Sequence, residues 1–189
     1  MWRRTSGLIP SGTATLRATT LAAVLLSAAP SAAQTAPEST TQAPSAFSEQ
    51  AARLGVSRCA NLFAGIGRAA TVGSTYAVQV QADGDDPDAH TVQGVVGIAY
   101  DRPDTQGQAA AVVSAAPAGK GCEGQMVRVA PFQLSCPEVL GLLPEGSTAA
   151  GDLAGVPLHN LGGNQGQALL VPSGSSCVVV SIARMVDSP

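Results

Sequence analysis

The chain has 189 residues, of which 12% are charged and 3% are aromatic, and its formal net charge at pH 7 is −3. This length is enough for one domain that buries a core of its own. The negative charge argues against nucleic acids and anionic membranes as partners, because both bind basic surfaces.

Residues 1–33 have the composition of a secretory signal peptide. Arg3 and Arg4 lie ahead of an apolar run over residues 21–29, and Ser31-Ala32-Ala33 supplies the small residues of a cleavage site. The apolar run is shorter than the ~20 residues that span a bilayer, so we expect no transmembrane helix in the mature chain. We therefore predict a periplasmic or secreted protein, exported by general secretion or by the twin-arginine route. Cleavage would remove three of the ten basic residues and none of the thirteen acidic ones, which leaves a net charge of about −6.

Residues 34–45, QTAPESTTQAPS, are rich in proline, threonine, serine and alanine and have no apolar periodicity. This composition predicts a disordered linker. A single globular domain is then expected over residues 46–189.

The domain begins with an amphipathic helical pattern. From Phe47 to Ala70, apolar residues recur at every third or fourth position, which predicts one long helix with a buried face. Ser45 is placed to cap its N-terminus, and Gly55 is expected to kink it. A short second helix is predicted after Ser135, where Glu138 completes a capping box.

Seven strands are predicted around the second helix, on alternating or continuous apolar patterns. Tight turns between successive strands favour antiparallel pairing. The sequence therefore predicts an α+β fold in which two helices, one long and one short, pack on one face of an antiparallel sheet. The predicted strands are Thr75–Gln81, Val92–Asp101, Ala109–Ala116, Gln125–Phe132, Asp152–Asn160, Gln167–Pro172 and Cys177–Arg184.

Short matches between residues 46–132 and 133–189 suggest an internal duplication. Five matches occur in the same order, and in one of them Pro117 and Cys122 correspond to Pro172 and Cys177. Two units of helix plus small sheet would share a core around a pseudo-twofold axis. Chance matches in a chain rich in small residues are the alternative. The tandem arrangement with two disulfides resembles the β-lactamase inhibitory proteins in outline, which is a likeness of fold alone.

An even number of cysteines in an exported chain predicts two disulfide bonds. Cys59 lies on the helical stripe and Cys177 opens the last strand, while Cys122 and Cys136 bracket a strand and the capped helix. These predicted positions favour the pairing Cys59–Cys177 with Cys122–Cys136. The duplication instead favours one bridge in each half, Cys59–Cys122 and Cys136–Cys177.

Candidate reactive or metal-binding side chains are few. The densest polar cluster could bind calcium through its carboxylates, but it lacks the glycine and glutamate of an EF-hand loop, so we favour a solvated turn. His90 and His159 are the two possible imidazole bases, and Arg128 and Arg184 are expected to face solvent. No nucleotide or phosphate motif is present, and we expect no cofactor or metal. The cluster consists of Asp83, Asp85, Asp86, Asp88 and His90.

These observations favour binding over catalysis. We expect an exported interaction module of a bacterial-type cell envelope, which presents the polar face of a disulfide-stapled sheet and the loops Arg102–Gly107 and Leu161–Gly166 to a protein or envelope component. One alternative is a carrier of small apolar ligands. Another is a hydrolase that uses His90 with a nearby aspartate. The carrier's pocket would lie between helix and sheet and would be lined by Phe63, Ile66, Val96 and Leu140.

Overall fold

The computed structural model describes residues 45–102 and 105–187, so the predicted signal peptide and residues 34–44 of the predicted linker lie outside the described residues. Within the described ranges, the helices are α1 (Ala46–Arg53), α2 (Ala60–Ala70) and α3 (Cys136–Leu140). The strands are β1 (Thr75–Gln81), β2 (Val92–Arg102), β3 (Thr105–Ala118), β4 (Gly121–Phe132), β5 (Thr148–Leu153), β6 (Val156–Asn160), β7 (Gln167–Ser173) and β8 (Ser176–Asp187).

The predicted α+β fold is confirmed. All strands join one antiparallel sheet in the order β1-β2-β3-β4-β8-β7-β6-β5, and the helices pack on one face of it, which we call the helical face. Two four-stranded meanders therefore meet where β4 pairs with β8. Pro117 lies opposite Cys122 in the first meander, and Pro172 lies opposite Cys177 in the second, so this pair of matches occupies equivalent places. A duplication of the chain stays a prediction.

The predicted long helix is divided, because α1 ends at a glycine. Gly55 has a φ of 78°, which favours glycine, and the chain there forms a helix-ending motif. The Val56 N–H donates to the Ala51 carbonyl at 3.0 Å, and the Gly55 N–H donates to the Ala52 carbonyl at 3.1 Å. The chain then starts a second helix after Cys59, where a single kinked helix was predicted.

The sheet has eight strands rather than seven, because the predicted strand Asp152–Asn160 is a hairpin of β5 and β6. Its turn residues Ala154 and Gly155 have φ values of 52° and 88°. Positive φ at both central residues is typical of the two-residue turns that match the twist of a hairpin. The Asp152 carboxylate accepts a hydrogen bond from the Gly155 N–H at 2.6 Å, which holds the turn closed.

Two apolar clusters form the core of the helical face. The larger lies under α1 and α2, where Phe47 packs edge-on against Phe63 with ring centroids 5.8 Å apart and stacks on Tyr76 at 5.4 Å. The smaller lies under α3, around Val139 and Leu170. The sheet therefore carries two neighbouring clusters in place of the single shared core that the duplication predicted, and the larger one extends onto β8 through Ala183.

The favoured disulfide pairing is wrong. The bonds are Cys59–Cys122 and Cys136–Cys177, one in each half, as the duplication predicted. The reason is local: each bond joins the residue at the start of a helix to the second residue of the strand on which that helix packs. The two disulfides are consistent with an extracellular or periplasmic protein. Among the helices of the described residues, none is long and apolar enough to cross a membrane.

Candidate functional site

The acidic turn is tied to the backbone. The Asp88 carboxylate accepts hydrogen bonds from the backbone N–H groups of Ser57 and Arg58 at 2.7 and 2.9 Å, and from the Ser57 hydroxyl. The side-chain bond from Ser57, followed by these two backbone bonds, lowers the pKa of Asp88. Asp83 accepts from the N–H groups of Asp85 and Asp86, which lowers its pKa in the same way. Two of the four carboxylates therefore have structural roles: Asp83 stabilises the turn itself, and Asp88 links the turn to the segment before α2. The described residues contain no cluster of three or more potential metal ligands.

Neither histidine forms an ion pair with a carboxylate in the described part of the chain. His90 is exposed in the turn before β2, and His159 is half-buried in β6 beside Ala168. Between described residues, the ion pair is Arg184 with Glu123, whose atoms are 3.3 Å apart. His90 nevertheless lies close enough to Asp83 for its charge to add to the backbone hydrogen bonds from Asp85 and Asp86 that lower the pKa of that carboxyl, although the two side chains form no ion pair.

The pocket residues predicted for an apolar carrier do not meet. Phe63, Ile66 and Val96 are fully buried in the larger core cluster, whereas Leu140 in α3 is 43% exposed. This part of the core is closely packed: a Cβ built on Gly94 would approach the Phe63 ring within 3.2 Å. The predicted ligand pocket between helix and sheet is therefore filled by packed side chains at this position.

The two predicted glycine-rich loops are also different from the expectation. Most of Arg102–Gly107 belongs to the β2–β3 hairpin, whose pairing extends to Arg102 with Thr105; residues 103 and 104 lie outside the described residues. Leu161–Gly166 forms a single 3-10 turn that packs on the backbone of Glu145 and Ile182. This second loop borders the helical face, so it does not extend the opposite face of the sheet.

The face opposite the helices, which we call the outer face, is apolar at its centre. This corrects the predicted polar face. Val95 pairs with Val112, Val112 with Val127, and Val127 with Ile182, which makes one row of aliphatic side chains across four strands. The parallel row contains Ala110, Val129, Val180 and Leu169. Strand alternation predicts one buried side, but β3 and β8 carry apolar residues on both sides. Alternation alone therefore could not predict that the outer face is apolar.

Three valines of these rows remain exposed. Val95 is 51% exposed, Val112 is 42% exposed and Val129 is 39% exposed. They lie on neighbouring strands, and so they form a continuous apolar surface rather than scattered single residues. Contiguous apolar patches of this kind mark interaction sites more often than isolated exposed side chains do.

The apolar rows are flanked by two depressions. On β1 to β3, small residues such as Ala77, Gly97 and Ala99 line a shallow cavity of about 490 Å³. On the other side, a polar cavity of about 330 Å³ is lined by Gln93, Ser114, Gln125, Glu123 and Arg184 among others. Arg184 faces solvent here as predicted. The outer face thus combines an apolar recess, an aliphatic centre and a nearly neutral polar margin.

Compared with known proteins, the chain matches no family model, no curated protein and no solved structure. The likeness in outline to β-lactamase inhibitory proteins therefore stays a prediction.

Proposed function

We propose that this chain is an exported, non-catalytic interaction module that holds a folded protein partner on the outer face of its sheet. The observation that carries the proposal is the contiguous patch of exposed valines, Val95, Val112 and Val129, at the centre of that face. The secretory composition of residues 1–33 and the two disulfides support action outside the cytosol.

The sheet is suited to bind without rearrangement. Each meander is tied to its helix by a disulfide, and β4 and β8 pair along their whole length, from Cys122 with Asp187 to Phe132 with Cys177. A surface that is already in its bound shape avoids the cost of ordering when a partner docks. Burial of the apolar rows would therefore strengthen binding without an opposing free-energy cost of ordering the sheet.

The sheet edges are less suitable than the face. At β1, the Gln50 side chain donates to the Val78 carbonyl at 2.7 Å and accepts from the Val80 N–H at 3.1 Å, so it occupies part of the edge. At β5, the register shifts between Ala149 and Gly151, where a bulge interrupts the ladder. Occupied and bulged edges resist the addition of a further strand. Binding by strand addition is thus disfavoured relative to docking on the face.

The shape of the outer face indicates the chemistry of the partner. The recess around Gly97 has room for a large side chain, since a Cβ built on Gly97 meets no atom within 4 Å. A protein that inserts an aromatic or leucine side chain there, and covers the valines with further apolar groups, would bury the centre of the face. Such anchors in pockets carry most of the affinity of protein interfaces.

A matched pair of substitutions tests this function. Val112→Asp places a carboxylate at the centre of the outer face, and Leu140→Asp makes the same kind of change on an equally exposed side chain of the helical side (42% and 43% exposed). With the purified protein immobilised, we expect wild type and Leu140→Asp to retain the same discrete protein from an envelope extract. Val112→Asp should bind it at least about ten-fold more weakly, because an interface charge without a partner is costly.

Thermal unfolding of both variants controls for loss of fold. The proposal is wrong if the folded Val112→Asp variant retains the partner, or if wild type retains nothing that Val112→Asp loses. A homodimer that Val112→Asp disrupts would also contradict it, since the occupant would then be a second copy.

A further inference from the structure

A groove crosses the centre of the helical face, where the two meanders meet. It consists of two joined cavities of about 350 and 530 Å³, which share Arg128, Leu161, Gln165 and Ser181 in their linings. The groove exists because α3 is only five residues long, so α3 and α2 leave the central strands β4 and β8 partly uncovered. Its size lies within the ~300–1,000 Å³ range of small-ligand sites.

Arg128 lies on the floor of this groove. It was predicted to face solvent, but in β4 it points to the helical face together with Met126 and Ala130, which are buried. Its Nη1 donates to the Tyr100 hydroxyl at 3.4 Å, and its Nε is buried without a hydrogen-bond acceptor. A partly buried guanidinium with an unsatisfied donor is unfavourable unless an acceptor is supplied.

The charges around the groove favour an anion as that acceptor. Arg128 supplies the charged side chain of the groove, because Arg184, although it borders one of the cavities, pairs its side chain with Glu123 on the outer face; no aspartate or glutamate is among the lining residues. Arg184 is already paired with Glu123 at 3.3 Å, so Arg128 is the available cation. An arginine fork is well matched in geometry to a carboxylate or phosphate group.

Apolar side chains form part of the groove's walls, beside the polar side chains of Asn164, Gln165 and Ser181, and the groove is partly open to solvent. Val72 at the end of α2 and Leu142 after α3 are exposed on the two sides of the opening. Leu143, Phe132 and Met185 continue the apolar walls. One cation beside these apolar walls fits a molecule with one anionic group and an apolar chain.

We propose that this groove binds an amphipathic small molecule whose single carboxylate contacts Arg128 and whose alkyl chain lies along the apolar walls. This site is separate from the outer face, so it goes beyond the proposed interaction function. A free fatty acid and the surface of an anionic membrane both present an anionic group beside alkyl chains, and vesicles distinguish these two sources.

The test uses dodecanoate below its micellar concentration and isothermal titration calorimetry with the purified protein. We expect dodecanoate to bind to wild type and to the exposed-arginine control Arg53→Gln. Arg128→Gln should bind it at least about ten-fold more weakly, since a charge-assisted hydrogen bond is lost. Dodecanol, which has the chain without the charge, and acetate, which has the charge without the chain, should both bind to wild type at least ten-fold more weakly than dodecanoate.

The comparison of ligands on wild type keeps the test valid even if Arg128→Gln fails to fold. The proposal is overturned if dodecanoate does not bind, if dodecanol binds equally well, or if folded Arg128→Gln binds dodecanoate as wild type does. Co-sedimentation with phosphatidylglycerol vesicles in the absence of dodecanoate binding would assign the arginine to a membrane surface and would also overturn it.

Discussion

At the residue scale, two glycines show how the two faces of the sheet differ. Gly124 in β4 lies under α2, and a Cβ built there would come within 2.7 Å of the Ser114 carbonyl oxygen and would also collide with Ile66. Gly97 in β2 is on the outer face, where an added Cβ meets nothing within 4 Å. The absence of a side chain is thus a packing requirement at Gly124, whereas at Gly97 it leaves an open recess.

We therefore expect opposite effects from the same substitution. Gly124→Ala should reduce the free energy of unfolding by about 1–3 kcal/mol, because the added methyl group overpacks the contact between helix and strand. Gly97→Ala should leave it unchanged or raise it by up to about 1 kcal/mol, because alanine loses less conformational freedom than glycine in a strand. Denaturant titration of both variants measures this; equal losses would show that the two positions are packed alike.

The lowered pKa of Asp88 makes a prediction about acid. Because the folded-state pKa lies below the unfolded value of about 3.9, the hydrogen bonds to Ser57 and Arg58 contribute fully above that pH. The contribution is lost as the pH falls through the folded pKa. Thermal unfolding from pH 7 to 2 should therefore show wild type losing stability below about pH 4 more steeply than Asp88→Asn. Asp85→Asn, in the same turn, is the control and should follow wild type.

The sequence predicted this turn correctly but not its contact with the segment before α2. Clustered aspartates near a glycine indicate a polar turn on local grounds alone. That Asp88 reaches the segment ahead of α2 depends on where the turn lies in three dimensions, and one sequence does not contain that information. The same limit applies to Arg128. Alternation predicts that its side chain lies on the other face of the strand from those of Val127 and Val129, but it does not predict which face the helices cover.

At the element scale, the helices depend on their links to the sheet. α3 has five residues, which is too few for a helix to persist alone. Its capping box holds the first turn, because the Glu138 carboxylate accepts from the Ser135 N–H at 2.8 Å, as the sequence predicted. The Cys136–Cys177 bond then fixes this turn on β8.

Removal of that bond should therefore weaken the second half selectively. We expect Cys136→Ala with Cys177→Ala to lower the free energy of unfolding by about 2–4 kcal/mol. Hydrogen exchange should become faster in α3 and in the segment after it, while α2 keeps its protection through Cys59–Cys122. If exchange speeds up equally in α2 and α3, the two halves are not separately stapled.

The bounds of most strands were more predictable than the hairpin of β5 and β6 and the disulfide pairing. The predicted bounds of β1 are those observed, and β2, β7 and β8 differ by at most three residues at an end, because alternation and turn residues are local signals. The hairpin of β5 and β6 was missed because its turn contains Ala154 in place of the usual asparagine or aspartate. The favoured disulfide pairing was wrong, while the alternative from the duplication was right, because the pairing depends on which helix packs on which strand.

At the scale of the whole molecule, one sheet presents two different surfaces. The helical face is largely covered and keeps a groove over its centre, while the outer face exposes valines between an apolar recess and a polar margin. The sequence predicted a disulfide-bonded sheet with a polar face for binding, whereas the outer face is apolar at its centre. Because β3 is apolar on both sides, only the position of the helices decides which of its residues remain exposed.

Site-specific photo-crosslinking tests docking on the outer face most directly. A photoreactive amino acid is placed at Val112 or, as the matched control, at Leu140, and the protein is irradiated in the presence of an envelope extract. We expect a discrete covalent adduct with a different protein from position 112 and none of that mass from position 140. The account is contradicted if position 112 gives no adduct, or if both positions give the same one.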